Sequence, residues 1–101
     1  MDVWFVVLKI NMRTPEVKKY IDDHQYLFWY SPAPKSETVS DELLVETMLN
    51  YGTLGQVSEL FRVMGLKKVA SVFEGMTGRK KLNFYPEIHS FFNLYFKKYA
   101  S

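Results

Sequence analysis

Apolar side chains recur three and four residues apart along most of this chain, the spacing that stacks them on one face of an α-helix. Thr14-Pro15-Glu16 reads as a helix start: a capping hydroxyl, a proline at the first helical position and an acid in the first turn. Val17, Tyr20, Ile21 and His24 then share a face, and the period is lost in the run Tyr26-Leu27-Phe28-Trp29-Tyr30. Ser31-Pro32-Ala33-Pro34 breaks regular structure. Ser40 is the next N-cap, with Asp41 and Glu42 in the first turn and Val39 placed to staple onto Leu44. Leu44, Val45, Met48 and Leu49 form its stripe, and Gly52 stands where a left-handed terminal residue is expected. Thr53 and Gln56 fit a capping box ahead of Val57, Leu60, Phe61 and Met64, and Gly65 ends that helix. Leu66, Val69, Ala70 and Phe73 mark a short helix with Gly75 after it, followed by a polar, basic loop to Asn83.

Pro86 opens the last helix, where Ile88, Phe91, Phe92, Tyr95, Phe96 and Tyr99 fall on one predicted face and Leu94 lies off it. Five of those six are aromatic, each with roughly 150–250 Å² to cover. Water does not accept such an area uncovered, so this helix is expected to bury against the chain or a partner. Glu87 near its start and Lys97 and Lys98 near its end suit the helix dipole.

The run Val3–Leu8 is β-branched and aromatic, which favours a strand. Met12 opens a segment that reads as a natural start, so residues 1–11 are alternatively an extension from an upstream start codon. The predicted fold is mostly α: a small bundle of about five short helices, with one N-terminal β-strand as an option. Residues 1–12 are assigned to the extension or strand, and residues 13–101 to a single helical domain.

Composition narrows the chemistry. With 101 residues, 48% apolar and 17% aromatic, the chain can build a core and is not composed like a disordered segment. Without cysteine it has no disulfide, thiol nucleophile or thiolate metal site, which fits a reducing compartment. No secretory signal is recognised, and the apolar run at the start is too short to span a bilayer, so a cytoplasmic location without membrane attachment is expected. The net charge of +2 is unevenly spread. Residues 1–50 hold five basic and eight acidic side chains; residues 51–101 hold eight basic and three acidic ones. A basic half can attract nucleic acid or an acidic protein, although charge runs are more often solvated surface.

No catalytic, metal or cofactor residue is assigned. His24 and His89 are the only histidines, and neither lies in a metal-binding spacing. The serines sit at caps, turns and helix surfaces, outside any nucleophile elbow. Asp22 and Asp23 are neighbours that do not face each other on a helix. Gly52-Thr53-Leu54-Gly55 opens a helix but lacks a phosphate-loop lysine.

Two arrangements remain for binding. Residues 54–74 form two helices joined at Gly65, the outline of a helix-turn-helix, with Lys67, Lys68, Arg79, Lys80 and Lys81 nearby. Against DNA reading, Phe61 is bulky where close helix packing wants a small residue, and the second helix offers little beyond Ser71 to read base edges. The Tyr26–Tyr30 run is the other candidate. As an extended segment it puts Leu27 and Trp29 on one side and Tyr26, Phe28 and Tyr30 on the other, which suits a sandwiched core segment or an interface.

The order of landmarks is informative: Leu27-Phe28-Trp29 before a turn, a helix ending Asn50-Tyr51-Gly52, a terminal glycine at Gly65, a short helix, then Pro86 leading into Leu94-Tyr95-Phe96. Across residues 26–99 this resembles an uncharacterised family of short bacterial and archaeal proteins, often encoded beside nucleotidyltransferase-type toxins and regarded as antitoxin-like. The resemblance implies a non-enzymatic, protein-binding regulator whose partner is such a toxin. The expected binding surface is Phe28, Trp29, Phe92 and Phe96, with the basic loop steering the encounter. The alternative is a DNA-binding transcriptional regulator using residues 54–74 and the loop 79–81. A homodimer through Val3–Leu8 is a further option.

Overall fold

The computed structural model describes residues 13–29 and 35–100. The expected strand at Val3–Leu8, the role of Tyr30 and the break at Ser31–Pro34 lie outside the described residues. Among those described there are six α-helices, two 3₁₀ segments and no strand, so the mostly α fold stands. Contacts divide the chain into two compact units, residues 1–39 and 40–101.

In the first unit, helix α1 (Pro15–Asp23) starts as its sequence requires. The Val17 amide donates to the Thr14 hydroxyl (3.2 Å), and Pro15 occupies the first turn, where a missing N–H costs nothing. Val17, Tyr20 and Ile21 are its buried face. At the C-terminus the His24 amide donates to the Tyr20 and Ile21 carbonyls, both at 3.1 Å, and the His24 ring lies 4.2 Å from that of Tyr20. The aromatic run is not extended. Gln25–Phe28 winds into a 3₁₀ turn in which the Leu27 amide donates to the His24 carbonyl (2.9 Å). That tighter winding replaces the expected two-sided alternation: Phe28 is buried, Leu27 half-buried, and Tyr26 and Trp29 are exposed. A four-residue helix that the pattern does not predict, α2 (Lys35–Thr38), packs on α1. Arg13 donates to the Ser36 carbonyl across that contact (2.9 Å).

The second unit is organised on α3 (Asp41–Tyr51), against which α4 (Leu54–Met64) and α5 (Leu66–Gly75) both pack. The Ser40 hydroxyl accepts from the Leu43 amide (3.0 Å), and Asp41 and Glu42 sit at the favourable end of the dipole. The predicted stripe of Leu44, Val45, Met48 and Leu49 is buried throughout. The capping box of α4 is complete: Gln56 N–H to the Thr53 hydroxyl (3.2 Å) and Thr53 N–H to the Gln56 side-chain oxygen (2.9 Å).

The expectation for Gly52 is corrected. Its φ of −73° is ordinary extended backbone, not left-handed. Glycine is needed there for space, because a Cβ would stand 2.6 Å from the Met48 carbonyl oxygen, to which the Gly52 amide already donates at 2.8 Å. Left-handed backbone occurs instead at Gly65, φ 92°, where α4 turns directly into α5, and at Gly78, φ 61°. Gly75 is the last residue of α5 rather than the one after it, and the basic loop contains a 3₁₀ segment, Gly78–Asn83.

Helix α6 (Pro86–Tyr99) closes the unit over an aromatic core. Phe73 meets Phe96 at 5.1 Å and Phe84 at 5.2 Å, and Phe92 stacks on Phe96 at 5.6 Å. The predicted face is rotated. Phe92 and Phe96 are buried, Ile88 and Tyr95 are half-buried, and Phe91 and Tyr99 face water. At about 100° per residue the six predicted positions spread over about 140° of circumference, with Phe91 at the open edge of that arc, while Tyr99 lies within the arc at the helix's last residue.

Candidate functional site

The first turn of α3 carries Asp41 and Glu42, and both meet lysines from later in the chain. Glu42 holds the Lys80 ammonium at 3.0 Å through both carboxylate oxygens, and Asp41 lies 3.9 Å from that of Lys68. Two of the five groups expected to contact DNA are therefore engaged within their own unit. Lys67, Arg79 and Lys81 are exposed and make no ion pair with an acid among the described residues. The exposed side of α5 also carries Glu74, which a phosphate backbone would repel.

One turn further along α3, the carboxyl of Glu46 titrates above its usual range. Partial burial is the main cause and Glu42 adds to it, while a hydrogen bond from the Asn83 side chain opposes it. Its neighbour Asn50 is a structural tie that the sequence does not announce. The Asn50 side-chain NH₂ donates to the Asn83 carbonyl (2.9 Å), and its oxygen accepts from the Tyr85 amide (3.1 Å). That second bond satisfies a donor at the start of α6, where no side chain of the helix itself does so. Tyr85 and Tyr51 meet edge-on beside it with hydroxyls 3.1 Å apart.

A shallow, open depression of about 440 Å³ lies between the end of α5 and α6, lined by Phe73, Glu74, Lys81, His89 and neighbours. The His89 ring stacks on Phe73 (4.8 Å) and meets Phe84 at 5.7 Å. Burial against these rings, with help from the Lys81 charge, lowers its pKa. The arrangement resembles a half-covered core histidine: no nucleophile is set against it, and no cluster of three metal-ligating side chains exists among the described residues.

The aromatic positions divide sharply. Of the four rings expected to form a binding surface, Phe28, Phe92 and Phe96 are buried, and a covered ring has no area left for a partner. Trp29 alone is exposed, at 80%. Helix α6 instead leaves Leu94 (68%) and Phe91 (58%) exposed on its outer side, and Tyr99 (57%) exposed at its last residue. Tyr95 joins this side to the core: it stacks on Phe91 (6.1 Å) and on Phe61 (5.8 Å), and lies 4.7 Å from Tyr99. The sequence carried a trace of this surface in Leu94, the one apolar residue off the predicted face.

No protein-family model, characterised protein or solved structure matches this chain. Among the described residues no helix is long and apolar enough to cross a membrane.

Proposed function

We propose that this is a non-catalytic, cytoplasmic protein-binding regulator of the antitoxin type, and that the outer side of α6 is its binding surface. The observation that carries the reading is the exposure of Phe91 and Leu94 together on a helix whose other side already supplies the core. An isolated exposed leucine needs no explanation, but Phe91 and Leu94, large apolar neighbours three residues apart on one rigid face, match the anchors of a helix-in-groove or helix-on-helix contact. The resemblance noted over residues 26–99 supplies the partner class, a nucleotidyltransferase-type toxin. Lys67, Arg79 and Lys81 add positive surface that speeds encounter with an acidic partner.

Co-expression tests the reading. A nucleotidyltransferase-type toxin encoded beside this chain should be neutralised and should co-purify with it, and Leu94→Asp should abolish both. Growth arrest that persists with the unmodified chain, with no complex recovered, would overturn it. No observation favours DNA binding over this proposal, since two of its five lysine and arginine contacts are tied to Asp41 and Glu42.

A further inference from the structure

The exposed face of α6 has an order as well as a composition. Glu87, Phe91, Leu94 and Lys98 follow one another at intervals of four, three and four residues, and all four are exposed. At about 100° per residue they fall within a strip about 60° wide. Along that strip the sequence is acid, apolar, apolar, base. The strip is symmetric about a point midway between Phe91 and Leu94. A two-fold axis there, running across the helix, places Phe91 opposite Leu94 of a second copy and Glu87 opposite its Lys98. One self-complementary patch of this kind is what an isologous dimer requires.

We infer that a second copy of this chain occupies the outer face of α6, packed antiparallel, with Phe91 against Leu94 and Glu87 against Lys98 across the two-fold. The inference rests on the α6 face being a protein-binding surface and places a second copy there when no toxin is bound, so that self-pairing and toxin capture compete for Phe91 and Leu94. Parallel pairing is disfavoured because it sets Glu87 against Glu87 and Lys98 against Lys98. The helix dipole alone explains an acid at the start and a base at the end, but not two large apolar side chains in water between them. Neither charge is committed to an ion pair with the described part of its own chain: Lys98 lies over the Tyr99 ring at 5.4 Å, and Glu87 has no cation within salt-bridge distance there. A single helix face buries less than the roughly 800 Å² per partner of a standard stable interface, so the association is reversible and depends on concentration.

Sedimentation equilibrium of the full chain is the test. The mass should rise from the 11.9 kDa of one chain towards twice that between about 1 µM and 1 mM. Leu94→Asp should hold the protein as a monomer. Glu87→Lys and Lys98→Glu each bring like charges together twice per dimer and should each weaken association about tenfold. The double variant carrying both reversals restores opposite charges across the axis and should recover association. Circular dichroism should show unchanged helix content in each, and Glu87→Gln with Lys98→Gln gives the effect of losing the charges without reversing them. A monomer at every concentration, with toxin capture still lost in Leu94→Asp, overturns the self-pairing and leaves the protein-binding reading standing. A dimer indifferent to Leu94→Asp overturns the α6 interface. Failure of the double variant to recover overturns the antiparallel register. A monomer whose toxin capture is also indifferent to Leu94→Asp overturns both proposals.

Discussion

Helix α6 has two aromatic sides built from the same kinds of residue, and they have opposite fates. Phe92 and Phe96 meet Phe61, and Phe96 meets Phe73, whereas Phe91 and Leu94, one or two residues away, are left in water. Hydrophobicity alone does not separate them, since a phenylalanine stands on each side. The side of the helix that meets the core is set by where the chain enters α6, and Asn50 fixes that entry by gripping the Asn83 carbonyl and the Tyr85 amide. Buried rings stabilise the unit, and exposed ones are available for something else.

The contrast is easiest to break at its extremes. Phe96→Ala removes a ring in contact with Phe61, Phe73 and Phe92, and should cost about 3–5 kcal/mol in denaturant unfolding. Leu94→Ala, at concentrations where the chain is monomeric, should change stability by no more than about 0.5 kcal/mol. Equal losses at the two positions would mean that both sides of α6 are covered. Next in size is Gly52→Ala, which drives a Cβ towards the Met48 carbonyl oxygen and should cost about 1–3 kcal/mol by the same measurement. No loss there would show that the end of α3 relaxes freely.

Asn50→Ala should cost about 1–2 kcal/mol through its two hydrogen bonds. It should also speed amide exchange at the start of α6 relative to the end of the helix. Uniform exchange along α6 would remove Asn50 from its role as the anchor. The smallest effect concerns His89, at the boundary between the two sides. Its folded pKa lies below the usual 6.5, so the unfolded chain takes up the proton first on acidification. Stability from this group is complete above about pH 6.5 and falls as the pH drops from there towards the lower folded value. Thermal unfolding of His89→Gln across that range should show a flatter pH dependence than the unmodified chain, and parallel curves would count against it.

Much of the fold was legible because its signals are local. The Thr14, Ser40 and Thr53 caps, the proline starts at Pro15 and Pro86 and the stripe of α3 each depend on residues within about one helical turn, and each stands where the pattern predicts. The errors share a different cause. Gly52 was expected to be left-handed because glycine after a helix usually is, but its backbone conformation follows from the approach of Met48. The Tyr26–Tyr30 run was expected to be extended because its helical period fails, and a 3₁₀ turn has a period of its own.

The proposed binding surface was the least legible part. Phe28, Phe92 and Phe96 were chosen for being aromatic, and aromatic residues serve cores and interfaces equally well. Spacing along α6 establishes that a helix forms and that its residues cover a broad apolar arc. It does not establish which part of the arc meets the core, because that depends on how α6 sits against Phe61 of α4 and Phe73 of α5, through contacts more than ten residues distant in sequence. Local order was written in the chain from the start, since caps and periodicity act over a few residues. The division of α6 into a covered side and an open one came only with tertiary packing, because burial depends on what the rest of the unit places opposite each ring.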